Sequence, residues 1–356
     1  MEYRICKIFL LIMNKNKISN QNFSFFVYFI IALALFISHF FYFTKFGFYE
    51  DDYSLITLGW EESFSHTFSY PIFSGRLLGN FFPYFFSILS SSIGGISILY
   101  VFSYLIILSN SLLFYLLIRR QFGYTLGFLI ALFYLFYPAD TTKILLIHAF
   151  QLQISLLFFL LASALYFSKY KCYSYIVIAL TLITYETLFL PFFVVPLLKY
   201  QWNKKLFQKL LSHIIILFSL LIITLYSRYL LAEDRANELL TSDKSELFFH
   251  FIESYILGFL ASLSTFIIRP ITALMLINYK SIIVFILIFI LILPFINSIK
   301  PSNSKAKKNI IIKWITFQFK GCLIADKEFI ICCKLLLTGF LAILLASILR
   351  SEFIIK

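Results

Sequence analysis

The sequence predicts an all-α, polytopic integral membrane protein of about nine transmembrane helices, forming a single membrane domain over residues 1–356. Three observations carry this. Of the 356 residues 61% are apolar and only 13% charged, about half the charged share of a soluble domain. The mean hydropathy is +0.91. Apolar runs recur at about 23–43, 96–118, 211–231, 281–299 and 330–349, each close to the roughly 20 residues a helix needs to cross a hydrocarbon core of about 30 Å. This composition excludes an ordinary cytosolic enzyme. With 11 Gly, 8 Pro and 5 Cys, low-complexity chains and disulfide scaffolds are excluded as well.

The elements follow in order from apolar length and charge. The first span, 23–43, follows a basic tail with Arg4, Lys7, Lys15 and Lys17, and lacks a small-residue cleavage site before it, so it is expected to stay as an anchor. A large outer loop, 44–95, comes next, and then a helical core, 96–231. Three basic clusters divide that core: Arg119 with Arg120, Lys169 with Lys171, and Lys199 with Lys204, Lys205 and Lys209. If all three are cytoplasmic, an even number of spans joins each pair. The result is two hairpins, 121–138 with 144–168, turning at Pro138, Ala139 and Asp140, and 172–185 with 187–199, turning at Glu186. The second hairpin is short, because fourteen helical residues rise about 21 Å. It requires a thinned bilayer or a polar cavity entering from the Glu186 side.

Residues 232–280 read as an outer loop with a re-entrant or interfacial segment, since a full span there would put the Lys-rich stretch from Lys300 outside. The C-terminal part, 281–356, then holds two spans around a basic cytoplasmic loop, 300–329. On this layout twenty of the 30 basic residues and three of the 17 acidic ones face inward. The net charge of +13 therefore reports orientation, with the N-terminus cytoplasmic, and nucleic acid is not an expected partner. All five cysteines fall on the reducing side. The expected location is a bacterial inner membrane.

The carboxylates left on the outer face are the chemical candidates. Glu50, Asp51 and Asp52 follow the first span directly, and Asp140 and Glu186 occupy the two outer turns. Three adjacent carboxylates can supply a general base or ligands for a divalent cation. They can equally be a solvated loop with a helix cap, and Asp140 after Pro138 has the form of an N-cap. Cations on the same face, Arg76, Lys143, His148, Arg228 and Arg269, suit an anionic substrate, since Arg grips phosphate oxygens bidentately. A lone Arg at a helix end can also snorkel to lipid head groups. His148 has no second His or Cys at zinc-ligand spacing, and there is no Walker loop, dinucleotide glycine pattern or Gly-x-Ser-x-Gly elbow.

Glu50, Asp51, Asp52 and Tyr53 after the first helix, the loop ending in Gly75, Arg76 and Leu77, and the paired short helices with Tyr137, Pro138 and Asp140 at one turn and Thr184, Tyr185 and Glu186 at the next together resemble the C-type glycosyltransferase superfamily. The resemblance covers about residues 23–235. It implies an inverting transfer from a polyprenyl-phosphate-linked sugar to a hydroxyl of a glycan, lipid or protein acceptor, in cell-envelope polysaccharide or glycolipid assembly. Asp51 or Asp52 would be the base or orient the acceptor, and Arg76 with Arg269 or Arg228 would hold the leaving phosphate. Glu50, Asp140, Lys143, His148 and Glu186 would line the substrate site. Some members of the superfamily use a divalent cation, Mg or Mn, which Asp51, Asp52 and Asp140 would ligate. The chain departs from the family pattern by stopping at Lys356, where members commonly continue. A multi-span transporter or flippase of a lipid-linked or anionic solute is the alternative, and it predicts ionisable groups in mid-span rather than at outer turns. A different membrane transferase, such as a polysaccharide polymerase, or a truncated inactive member is the third expectation.

Overall fold

The computed structural model describes residues 20–49, 52–56, 60, 75–136, 143, 145–200 and 204–231, with isolated positions between 256 and 290 and at 338 and 339. Every described element is helical. In chain order these are α1 (Asn20–Leu35, prolonged by a π-helical turn Phe36–Phe40), α2 (Asp52–Ile56), α3 (Leu77–Ile93) and α4 (Ile96–Leu135). They continue as α5 (Leu146–Phe167), α6 (Lys171–Thr184), two 3-10 segments (Glu186–Leu188 and Leu190–Val194), α7 (Val195–Lys199) and α8 (Lys204–Leu230). Among the described residues four stretches are long and apolar enough to cross a membrane: Phe25–Lys45, Ile96–Arg120, Leu146–Phe167 and Leu206–Leu230. The expected spans at 281–299 and 330–349, and the interfacial segment within 232–280, lie almost wholly outside the described residues.

Forty unbroken helical residues in α4 would make a straight rod of about 60 Å. Instead the rings of Phe114 and Tyr134, twenty residues apart, lie with centroids 5.0 Å apart. A Cβ placed on Gly127 would come within 2.9 Å of the Arg119 Cα. The helix therefore doubles back just past Arg119 and Arg120, giving two antiparallel arms that divide where the charge pattern separates the run at 96–118 from the segment expected at 121–138. The second arm ends at Leu135, short of the expected 138. Its last carbonyls are satisfied from elsewhere in the chain: Leu135 O accepts from His39 Nε2 at 3.0 Å and from Lys143 Nζ at 3.0 Å. These are groups that α-helical bonding leaves open at a C-terminus.

The first arm packs on α1. Tyr104 OH donates to Ala32 O (3.0 Å) and Arg119 Nη1 to Tyr28 OH (3.1 Å), and past the end of α1 Tyr100 OH donates to Gly47 O (2.7 Å). Around these bonds Val27, Ile31, Leu35, Leu99, Ile107, Phe128 and Leu132 form one buried core. A second core, with Ala162, Ile178, Leu182, Phe189 and Leu217, joins α5, α6 and α8. The entry to α4 turns on Gly95, at φ 66° and ψ −145°, a conformation open only to glycine.

Residues 77–93, within what the sequence marks as an outer loop, form the 17-residue helix α3. The return of the short hairpin differs too. Pro191 and Pro196 remove two helical donors, and Glu186–Val194 runs as 3-10 helix in place of the expected α-helix. At about 2.0 Å per residue this stretch rises further than α-helix. Glu186–Lys199 thus covers roughly 25 Å against about 21 Å for α6. Phe192 O takes a bond from Val195 N and a second from the buried His213 Nε2 (2.9 Å), whose other ring nitrogen meets Tyr175 OH at 2.9 Å. One side chain on α8 thereby ties α6 to the return segment.

Candidate functional site

Of the carboxylates singled out in the sequence, the two that are described, Asp52 and Glu186, are both buried, and each is held by a different element. Glu186 begins the 3-10 segment directly after α6 breaks at Tyr185, whose φ −154° and ψ 100° are extended backbone. Arg76, at the start of α3, grips it with both ends of the guanidinium: Nη2 donates to Oε1 at 2.6 Å and Nε to Oε2 at 3.0 Å. Arg228, at the end of α8, lies 3.6 Å from Oε2 and donates at 2.6 Å to Leu182 O, one of the last carbonyls of α6. The Arg76 guanidinium also lies 4.7 Å from the centroid of the Tyr185 ring. The largest single influence on the Glu186 carboxyl is burial, which raises its pKa, but Arg76 and Arg228 outweigh it and the net direction is down. The triad is ionic at neutral pH and carries a net charge of +1.

Close approach of α3 to α6 depends on Gly79. A Cβ there would collide with the Thr184 carbonyl oxygen. Only glycine lets the α3 backbone approach close enough for Arg76, one turn earlier, to reach Glu186.

Asp52, at the start of α2, has no solvent exposure. Its Oδ1 accepts from Ile147 N at 2.7 Å, and its Oδ2 from Leu146 N at 3.2 Å and Tyr49 N at 3.3 Å. It caps the N-terminus of α5 from another part of the chain, where its charge also meets the positive end of the helix dipole. Burial raises its pKa; the three amides and the charge of His148 pull the other way without cancelling it.

Separate polar contacts line α5 between the levels of the two carboxylates. Gln151 Nε2 donates to Asn80 Oδ1 (3.3 Å), and Ser155 Oγ donates to the Tyr185 carbonyl (2.8 Å). Gln153 lies in the π-helical turn Ala149–Gln153; its backbone and side-chain oxygens accept from Asn110 Nδ2 at 2.8 and 2.9 Å. Ser155 lies eight residues beyond Ile147, so about 12 Å of helix axis separates the two carboxylate levels. They stand at different levels of the bundle and do not touch. Ser155 is also the tenth of 22 residues in α5. The Glu186 turn therefore lies beside the middle of a membrane-length helix, deeper than a surface turn.

Of the residues proposed from the sequence, the structure unites Arg76, Glu186 and Arg228. Lys143 is fully buried, donating to Tyr134 O (3.2 Å) and Leu135 O (3.0 Å) as the cap of α4. His148 lies in the first turn of α5, beside Asp52. Glu50, Asp51, Asp140 and Arg269 lie outside the described residues. Among the described residues no three His, Cys, Asp or Glu side chains gather as a metal would require. Sequence reasoning passed over Asn80, Asn110, Gln151 and Gln153, although amide side chains within apolar helices were a usable signal. No family model, curated protein or solved structure matches this chain.

Proposed function

We propose that the protein is a membrane glycosyltransferase taking sugar from a polyprenyl-phosphate donor on the outer face of a bacterial inner membrane. The observation that carries this is the pair of guanidinium groups converging on one buried carboxylate, a net cationic site built from the residue type best shaped for phosphate. In the reaction the acceptor oxygen bonds to the anomeric carbon from the face opposite the phosphate. The carbon–oxygen bond to phosphate breaks with its electron pair, and the acceptor proton passes to a carboxylate. Arg76 and Arg228 stabilise the charge that grows on the departing phosphate. Because Asp52 spends its oxygens on three backbone amides, the base falls to its neighbour Asp51, with Asp52 holding that segment against α5. Glu186 keeps the two arginines in place until the anion arrives.

The test is transfer from a radiolabelled polyprenyl-phosphate sugar to a panel of acceptors by the purified protein. Activity is expected to fall by at least about a hundredfold in Asp51→Asn, the usual size of a lost general base, and to fall also in Arg76→Gln. Undiminished transfer by the Asp51→Asn, Asp52→Asn double variant would remove the carboxylate cluster from the mechanism.

The depth of the Glu186 turn favours a second reading, since an ion triad beside the middle of a span is also what a carrier of anionic or lipid-linked solute would use. Flux of solute into proteoliposomes with no covalent product would select it.

A further inference from the structure

The opposite end of the bundle is lined by lysines, and nothing in the proposed reaction uses them. Four helix termini meet there: the end of α5, the start of α6, the end of α7 and the start of α8. Lys171 Nζ lies 5.0 Å from the Tyr166 ring centroid, and Lys199 Nζ 5.1 Å from the same ring and 5.6 Å from that of Tyr200. Lys209 Nζ lies 4.0 Å from the Tyr200 ring. Sharing a ring puts each neighbouring pair of ammonium groups within about 10 Å, a Debye length at ordinary salt.

The arginines at the far end converge on a carboxylate. Between residues 141 and 232, which supply these four termini, Glu186 is the sole acid, and it lies away from them, beside the middle of α5. Lys199 is fixed in place by donating to Tyr166 O, near the C-terminus of α5. The N-terminus of α6 also opens here with no side-chain cap from Tyr170, and the helix dipole adds partial positive charge.

We propose that this end binds the phosphate of an anionic phospholipid, between Lys171, Lys199 and Lys209. Tyr166 and Lys209 lie at the ends of membrane-length helices, the level of lipid head groups, where tyrosine is at home, and Lys171 and Lys199 meet their rings there. Basic pockets between helix ends are a recurring site for such lipids. A half-exposed rim serves the purpose: Lys209 and Lys169 are exposed, while Lys171 and Lys199 are partly buried. This site stands apart from the glycosyltransferase reading and survives its failure.

The full-length protein in nanodiscs of phosphatidylcholine with one tenth phosphatidylglycerol provides the test, reading the lipid retained on extraction. Enrichment of phosphatidylglycerol is expected, falling about fivefold for each of Lys171→Gln and Lys209→Gln and vanishing in high salt. Lys45→Gln, a lysine 5.4 Å from the Tyr42 ring at the other end, should leave it unchanged. The wild-type melting temperature in detergent gives a second reading that needs no variant, and phosphatidylglycerol should raise it while phosphatidylcholine does not. Equal retention of the two lipids, an equal loss in Lys45→Gln, or the same thermal shift from inorganic phosphate would overturn the proposal.

Discussion

Glu186 and Asp52 lie at two levels of the same bundle, both buried, yet one is held by arginines and the other by backbone amides. The difference sets what each can do. An ion pair with Arg76 and Arg228 is made of side chains that an incoming anion can compete for, so it can rearrange. Two of the three amide bonds into Asp52 are part of the α5 N-terminus, and giving them up would unravel a helix start. The Glu186 level is therefore the part of the bundle suited to receiving a ligand, and the Asp52 level is the frame that keeps it in register.

Removing the charge of Glu186 should do the most damage. Glu186→Gln leaves two largely buried guanidinium groups facing each other with no counter-charge, a loss of about 3–5 kcal/mol. Thermal unfolding in detergent would show it. Adding Arg76→Met to Glu186→Gln should return part of the loss, and a double variant as unstable as the sum of the singles would break the picture of a coupled triad. Gly79→Ala comes next, at about 2–3 kcal/mol, because the new methyl group meets a backbone carbonyl that cannot swing aside. Its distinctive sign is weaker coupling between Arg76 and Glu186, read by a double-mutant cycle made in the Gly79→Ala background.

Lys143→Met tests the frame. It strips a donor from two carbonyls at the end of α4, but Leu135 O keeps His39, so the loss should be about 1–2 kcal/mol. A change in sugar transfer at unchanged stability would return Lys143 to the substrate site that the sequence suggested for it.

How legible these features were depended on whether their cause was local. The reversal of α4 was readable because Arg119 and Arg120 interrupt an apolar run, and the shortness of α6 because Glu186 interrupts another. The 3-10 return was half-readable: Pro191 and Pro196 are in plain view, but their effect on rise per residue is visible only once the distance to be covered is known. The pairing of Arg76 with Glu186, 110 residues away, follows from α3 being a helix seated by Gly79. Pro83 inside the stretch 77–93 reads against a helix, although the apolar residues there recur at helical spacing. Asp52 and Lys143 have the residue types of chemistry and the positions of helix caps, and only the partners they meet distinguish the two.

The finest comparison between the carboxylates is their response to pH, where the two should differ in sign. The Glu186 pKa is lowered on folding, so its stabilising contribution is present above the unfolded value near 4.5 and is lost as pH falls through the folded value. The Asp52 pKa is raised, so its contribution is full below the unfolded value of 3.8 and is lost as pH rises through the folded value. Asp52→Asn keeps one acceptor for the α5 amides and should cost only about 1 kcal/mol. That cost should shrink as pH rises from 4 to 7, while the cost of Glu186→Gln grows over the same interval. Melting curves of the two variants against wild type at pH 4, 5.5 and 7 decide it. If the two costs move in the same direction, the amide cage does not leave Asp52 with a raised pKa, and the division of the bundle into a movable ion pair and a fixed cap fails.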